Sequence, residues 1–100
     1  MNVNEILEAV CSTFAVSHEE LKGSSRKRRI VEARAIFAIK SNASGFKAPE
    51  IAAAINRNRT SVLYYLRVYP FFLQHDENLK RKFFEVFKIL INNHNHGLQS

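Results

Sequence analysis

The sequence predicts an all-α fold of about six helices, with a central pair of consecutive helices joined by a tight turn. Three observations carry this. Apolar residues recur at three- and four-residue spacing, and no alternating run is long enough to read as a strand. Only two prolines and three glycines punctuate the chain. Ser17, Asn58 and Asp76 stand where helix N-caps belong, immediately before periodic runs.

Taken in order, the first helix is expected from about Asn4 to Phe14, with Ile6, Leu7, Val10, Cys11 and Phe14 on one face. Ser17 followed by Glu20 is a capping box: hydroxyl and carboxylate each satisfy a free backbone donor, starting a short second helix that stops near Gly23. The loop Gly23 to Arg28 leads into a long third helix reaching about Lys40, with Ile30, Ala33 and Phe37 facing inward, and Gly45 marks the turn after it. Pro49 fits only the first turn of a helix, which places the fourth from about Ala48 to Ile55. Asn58 caps the fifth, whose Val62, Leu66 and Tyr69 follow i, i+4, i+7 spacing. Pro70 lacks a backbone donor, so the fifth helix is expected to end or bend there. Asp76 caps the last helix, with Leu79, Phe83, Val86, Phe87 and Leu90 as its buried stripe. Residues 1–91 then form a single domain and residues 92–100 a flexible tail.

One hundred residues suffice for a modest core without a metal or disulfide. Cys11 is the sole cysteine, so no internal disulfide can form, and its neighbours mark it as a core thiol in a reducing compartment. The N-terminus lacks the basic stretch and apolar run of a signal peptide, and nowhere do about 18 apolar residues run together. A soluble, cytoplasmic protein located at the nucleoid is expected, with no membrane partner.

The net charge is +6, and its distribution says more than its size. From Lys22 to Arg67 eleven Lys and Arg face two acids, giving +9, while the flanks hold four bases and seven acids, giving −3. A basic centre between acidic ends is an electrostatic footprint for a polyanion.

Within that centre, the Ile51, Ala54 and Ile55 face of the fourth helix can pack on Val62 and Leu66 of the fifth, and the alanines at 52 to 54 permit a close approach. This is the layout of a helix-turn-helix, and it turns Arg59, Thr60, Ser61 and Tyr64 outward. An Arg fork matches guanine O6 and N7, a threonine methyl can touch a thymine methyl, and hydroxyls take either hydrogen-bonding role. The basic loop Ser25-Arg26-Lys27-Arg28-Arg29, leading into a helix that carries Arg34, suits a narrow minor groove and its flanking phosphates. Lys47, Arg57 and Tyr64 are further expected phosphate contacts.

Catalysis finds no support. Three isolated glycines cannot make a phosphate loop of the type Gly-x4-Gly-Lys-Ser/Thr, and His18, His75, His94 and His96 lack partner cysteines. No cofactor, nucleotide or metal is expected.

The segments SRKRRIVEARAI at 25 to 36, Ala-Pro-Glu-Ile at 48 to 51 and NRNRTSV at 56 to 62 occur in an order and spacing that resembles the C-terminal, origin-box-binding domain of the bacterial replication initiator DnaA. That domain is similar in fold to the Trp repressor, and the resemblance covers about residues 4 to 91. It implies that Arg26 enters the minor groove, that Arg34 with Ala48 and Pro49 meets phosphates, and that Asn58, Arg59, Thr60 and Ser61 face bases in the major groove. Where the family usually has Arg-Asp-His-Thr-Thr-Val, this chain has Arg57-Asn58-Arg59-Thr60-Ser61-Val62. An Asn amide favours adenine and an Arg favours guanine, so the preferred site is expected to differ from the usual box. The turn is one residue shorter and lacks the family's paired glycines, but Asn56 can supply the left-handed conformation a turn needs.

The sequence thus reads as sequence-specific binding of double-stranded DNA in replication initiation or its regulation, by an isolated domain or a small free-standing protein from a bacterium or a phage. A transcriptional regulator of the same fold is the nearest alternative. Another is a helical module whose basic face meets replication or transcription proteins, motivated by Phe84 and Ile91 beside the buried stripe of the last helix. A monomer or weak dimer is expected.

Overall fold

A computed structural model describes the backbone of residues 1–99 and the side chains of residues 1–94. Its elements are α1 (Val3–Phe14), α2 (His18–Lys22), α3 (Arg28–Ala43), α4 (Ala48–Ala54), α5 (Arg59–His75) and α6 (Glu77–Gln99), with no strand among the described residues. Each helix contributes buried apolar side chains to one continuous core.

α1 starts ahead of the expected Asn4 because Asn2 makes a capping box. Its side-chain oxygen accepts from the Glu5 N–H at 2.9 Å, and the Glu5 carboxylate accepts from the Asn2 N–H at 3.2 Å. The helix buries Ile6, Leu7, Ala9, Val10 and Phe14 and ends on Ala15 in the left-handed region, φ 54°. Cys11 lies at the edge of this face, half-buried, with its thiol pushed above its ordinary value by burial and then by Glu8 and Glu20. The Ser17 capping box of α2 forms as expected, at 3.0 Å in both directions.

α3 is the axis of the molecule. Residues 33 to 38 are buried without interruption, a pattern that an amphipathic surface helix cannot show and a helix enclosed on all sides must. It packs against α1, α2, α4 and α5. Ile30, Ala33 and Phe37 occupy the expected inward face, and the helix continues past Lys40 to Ala43.

Pro70 does not end α5, which runs through it to His75. The ring removes one backbone donor, and the turn beyond it is held by other means. Tyr69 packs edge-on against Phe72 with centroids 5.2 Å apart, Phe71 lies 4.5 Å from His75, and the Asp76 N–H closes onto the Phe72 carbonyl at 2.8 Å. Asp76 then caps α6, its carboxylate accepting from the Leu79 N–H at 3.1 Å. α6 lies against α1 and α5 through Leu79, Val86 and Leu90, with Phe83 half-buried. Phe87 departs from the expected stripe: it is 41% exposed, with the Lys40 ammonium over its ring at 4.5 Å. α6 runs to Gln99, beyond the end expected near Ile91.

Candidate nucleic-acid interface

The helix-turn-helix assembles from α4, the turn at 55 to 58, and α5. Ile51, Ala52 and Ile55 meet Val62 in the core, with Ala54 and Leu66 half-buried at the margin. Asn56 takes the left-handed conformation, φ 53°, and the Arg57 N–H reaches back to the Ala52 carbonyl at 2.9 Å. The chain reverses there without glycine. Asn58 caps α5, its side-chain oxygen accepting from the Ser61 N–H at 2.8 Å. Arg59 and Thr60 are exposed on the first turn of α5 and Ser61 is half-buried. Of the adjacent Tyr64 and Tyr65, Tyr65 packs inward and Tyr64 stays 47% exposed.

The capping bond qualifies the expected role of Asn58. Bidentate pairing with adenine needs both the amide oxygen and nitrogen, and the oxygen is engaged with α5. Only the amide nitrogen is free to point outward.

The α2–α3 loop closes beside this turn. Ser24, Ser25, Arg26, Asn56, Arg57, Asn58 and Ser61 line a polar groove of about 460 Å³ between them. A neighbouring concavity joins Arg26 to Asn58, Thr60, Ser61 and Tyr64. Arg26, Lys27 and Arg29 are exposed.

Three expected phosphate contacts are placed differently. Arg34 is 2% exposed and points into the molecule: Nε donates to the Leu21 carbonyl at 2.8 Å, Nη1 to Ser25 at 2.6 Å, and Nη2 to Glu20 at 3.0 Å and Gly23 at 2.8 Å. These carbonyls lie at and beyond the end of a short helix, where Glu20 also accepts from the Gly23 N–H at 3.3 Å, and a buried guanidinium with many donors satisfies them. Burial, and secondarily the neighbouring Arg57, lowers its pKa from the ordinary guanidinium value. Arg34 is therefore corrected from a phosphate contact to a buried brace. Arg57 is half-buried and donates through Nη2 to the same Gly23 carbonyl. Arg28 is paired with Glu32 at 3.2 Å and with Asp76 at 3.4 Å, so a phosphate would compete with two carboxylates.

At the start of α4, Lys47 is exposed, Ala48 half-buried, and Pro49 sits in the first turn as expected. A phosphate at Ala48 and Pro49 would share this helix end with the Glu50 carboxylate, which accepts from the Lys47 N–H at 3.4 Å.

The sequence reading missed Leu63 and Arg67. Both are exposed, Leu63 by 45%, and they follow Arg59 at four-residue intervals, so the outer face of α5 reads Arg59, Leu63, Arg67 with Thr60 and Tyr64 alongside. That spacing was the available signal.

A family model described as the bacterial DnaA protein helix-turn-helix matches residues 3–68, which takes in α1 to α4 and the first half of α5. The chain belongs to the DnaA C-terminal helix-turn-helix family. It is a DnaA-type DNA-binding module, all-α, of a non-catalytic kind. The chain is 34% identical over 84 residues to the chromosomal replication initiator protein DnaA 2 of Chlamydia pneumoniae, covering 82% of this chain and 18% of that protein. It thus spans under a fifth of the length of that relative. The family model stops just short of Pro70, while the similarity to the Chlamydia protein, covering 82% of this chain, continues past it into α6. No helix among the described residues is long and apolar enough to cross a membrane.

Proposed function

We propose that this chain recognises a specific double-stranded DNA sequence, with the first turns of α5 in the major groove and the Arg26 loop in the adjacent minor groove, in replication initiation or its regulation. One observation supports the reading: Arg26 lines the same concave surface as Asn58, Thr60, Ser61 and Tyr64, which are far from it in sequence. Arg59 and Thr60 supply base contacts, joined by Ser61 and the Asn58 amide nitrogen. Lys27, Arg29, Lys47 and Tyr64 supply phosphate contacts, with a lesser share from Arg28, Arg57, Ala48 and Pro49, whose surroundings are already occupied. A basic rim around a helix end suits a polyanion in general, and the Arg59 fork adds what is needed to prefer a base pair.

Selection of bound duplexes from a randomised library, with the enriched sites measured again at two salt concentrations, tests this. Arg59→Ala is expected to cost about 1–3 kcal/mol on the selected site and to relax the preference at one base pair. Equal affinity of the native chain for selected and random duplexes would refute sequence-specific recognition.

A second reading rests on α6, where Phe84 is 56% and Ile91 39% exposed beside Phe87. This stripe suits contact with a replication or transcription protein, or a weak dimer. Sedimentation of the native chain and of Phe84→Ser separates the dimer from the monomer.

A further inference from the structure

The carbonyl groups of the α2 end and the following loop converge on side chains from two other parts of the chain. Glu20, Leu21, Gly23 and Ser25 accept from Arg34 of α3. Lys22 accepts from the Asn56 amide nitrogen at 3.4 Å, and Gly23 accepts a second time, from Arg57. Asn56 and Arg57 both belong to the turn of the helix-turn-helix. Every carbonyl from residue 20 to 25, except that of Ser24, is therefore held by a side chain anchored either in the central helix or in that turn.

Gly23 is where the two sets meet. A Cβ at this position would lie 3.1 Å from the Glu19 carbonyl, tighter than ordinary contact, so a side chain would require the segment to give by a few tenths of an ångström. Asn56 has two functions in one residue. It adopts φ 53°, which glycine would do as readily, and it donates to Lys22, which glycine cannot do.

We infer that Arg34, Asn56 and Arg57 latch the Arg26 loop to the helix-turn-helix turn, fixing the spacing and rotation between the minor-groove contact and the major-groove contact. The latch rests on the reading of the two elements as DNA contacts given above. Its residues are positioning residues; they act through the loop carbonyls and not on bases. Arg26 and Asn58 each lie within three residues of a latched position, Ser25 for the loop and Arg57 for the turn, so neither contact can slide or rotate independently. A loose loop would follow the groove wherever it lay. A latched loop accepts one phase only, and phase thereby becomes part of the recognised sequence.

B-DNA provides the ruler. Inserting one base pair between the two contacted segments moves one relative to the other by about 3.4 Å along the axis and by about 34–36° around it. The test uses the full chain, the selected duplex, and the same duplex with one base pair inserted between the minor-groove and major-groove segments. Native protein is expected to lose about tenfold or more in affinity on insertion, the size of a lost base-pair contact. Two variants loosen the latch from opposite sides: Arg34→Lys, which keeps the charge but removes the fork, and the double variant Asn56→Gly with Arg57→Gln, which keeps the left-handed turn but removes both tethers. Circular dichroism establishes that each is folded, and the surface double variant secures the test where Arg34→Lys is not.

In the folded variants the insertion penalty is expected to fall to about threefold or less, while discrimination between bases under α5 persists. An undiminished penalty in the folded variants would overturn the latch. A native chain that selects a site yet tolerates the insertion would overturn the latch and leave the DNA-binding reading standing. A native chain that selects no site would sink both.

Discussion

Asn58 is the residue at which stability and recognition separate most cleanly. Its side-chain oxygen accepts from the Ser61 N–H at 2.8 Å, satisfying one of the four donors that the start of α5 leaves without an intrahelical partner. The bond is short and well formed, but it lies at the surface, where water replaces part of it once the side chain is removed. Asn58→Ala is accordingly expected in the middle of the range for N-cap deletions, at about 1 kcal/mol. For a domain of this size that corresponds to a fall of about 4–8 °C in Tm. Asn58→Asp keeps an oxygen in the same place and adds a negative charge at the positive end of a helix, worth about 0.3–1 kcal/mol in the stabilising direction. The aspartate brings back the acid usual in the family and, under the proposed function, shifts the preference at one position towards cytosine. Thermal and urea unfolding of the three proteins, followed by duplex selection with the Asp variant, reads both effects. An Ala variant as stable as the native chain would refute the capping argument. An Asp variant destabilised by more than about 1 kcal/mol would do the same.

Pro70→Ala restores a backbone donor inside α5, and a net gain of about 1–2 kcal/mol in urea unfolding is expected, since the recovered helical bond outweighs the extra entropy of the unfolded chain. A destabilised variant would mean that the ring itself is a packing element. The Cys11 thiol is raised by burial and by Glu8 and Glu20, so the folded chain holds the thiol proton more tightly than the unfolded chain does. The resulting stability is present below the ordinary thiol pKa and is lost as the pH rises through the raised value. Alkylation at pH 8 should therefore be slower in the folded protein than in urea, and equal rates would contradict the placement.

The helix order and most caps were legible in the sequence because they depend on local chemistry. Ser17, Asn58 and Asp76 cap where they were expected to, Pro49 opens α4, and Asn56 supplies the left-handed residue of a turn without glycine. What the sequence concealed depends on distant partners. Nothing around Arg34 distinguishes a phosphate-binding arginine from a buried one until four carbonyls of residues 20 to 25 are seen to converge on it. Phe87 has the spacing of a core residue, yet it stays 41% exposed and meets Lys40 of another helix, a partner that no local pattern names. Pro70 does not end α5, and the aromatic contacts across and beyond the ring that pack the next turn depend on residues read only once the helix is in place.

The same distinction changes what the basic centre can contribute to DNA affinity. Eleven Lys and Arg between Lys22 and Arg67, all meeting phosphates, would give a salt slope of about −10, because each neutralised phosphate contributes about −0.9 to d log K/d log [salt]. Four of those eleven are committed within the fold. Arg34 and Arg57 hold loop carbonyls, Arg28 is shared between Glu32 and Asp76, and Lys40 covers Phe87, with its pKa lowered by burial. Seven remain without such commitments, so the slope should lie near about −6, with Arg28 and Arg57 adding only their lesser share. Titrating one duplex between 50 mM and 200 mM salt measures it, salt concentrations over which phosphate-dominated binding changes by orders of magnitude. A slope near −10 would show that DNA pulls the braced arginines out of their carbonyl cradle, and the rigid loop would then be a property of the free protein alone. A slope of about −6 or shallower would place the binding charge on the exposed cations, with Arg34 contributing through geometry and not through charge.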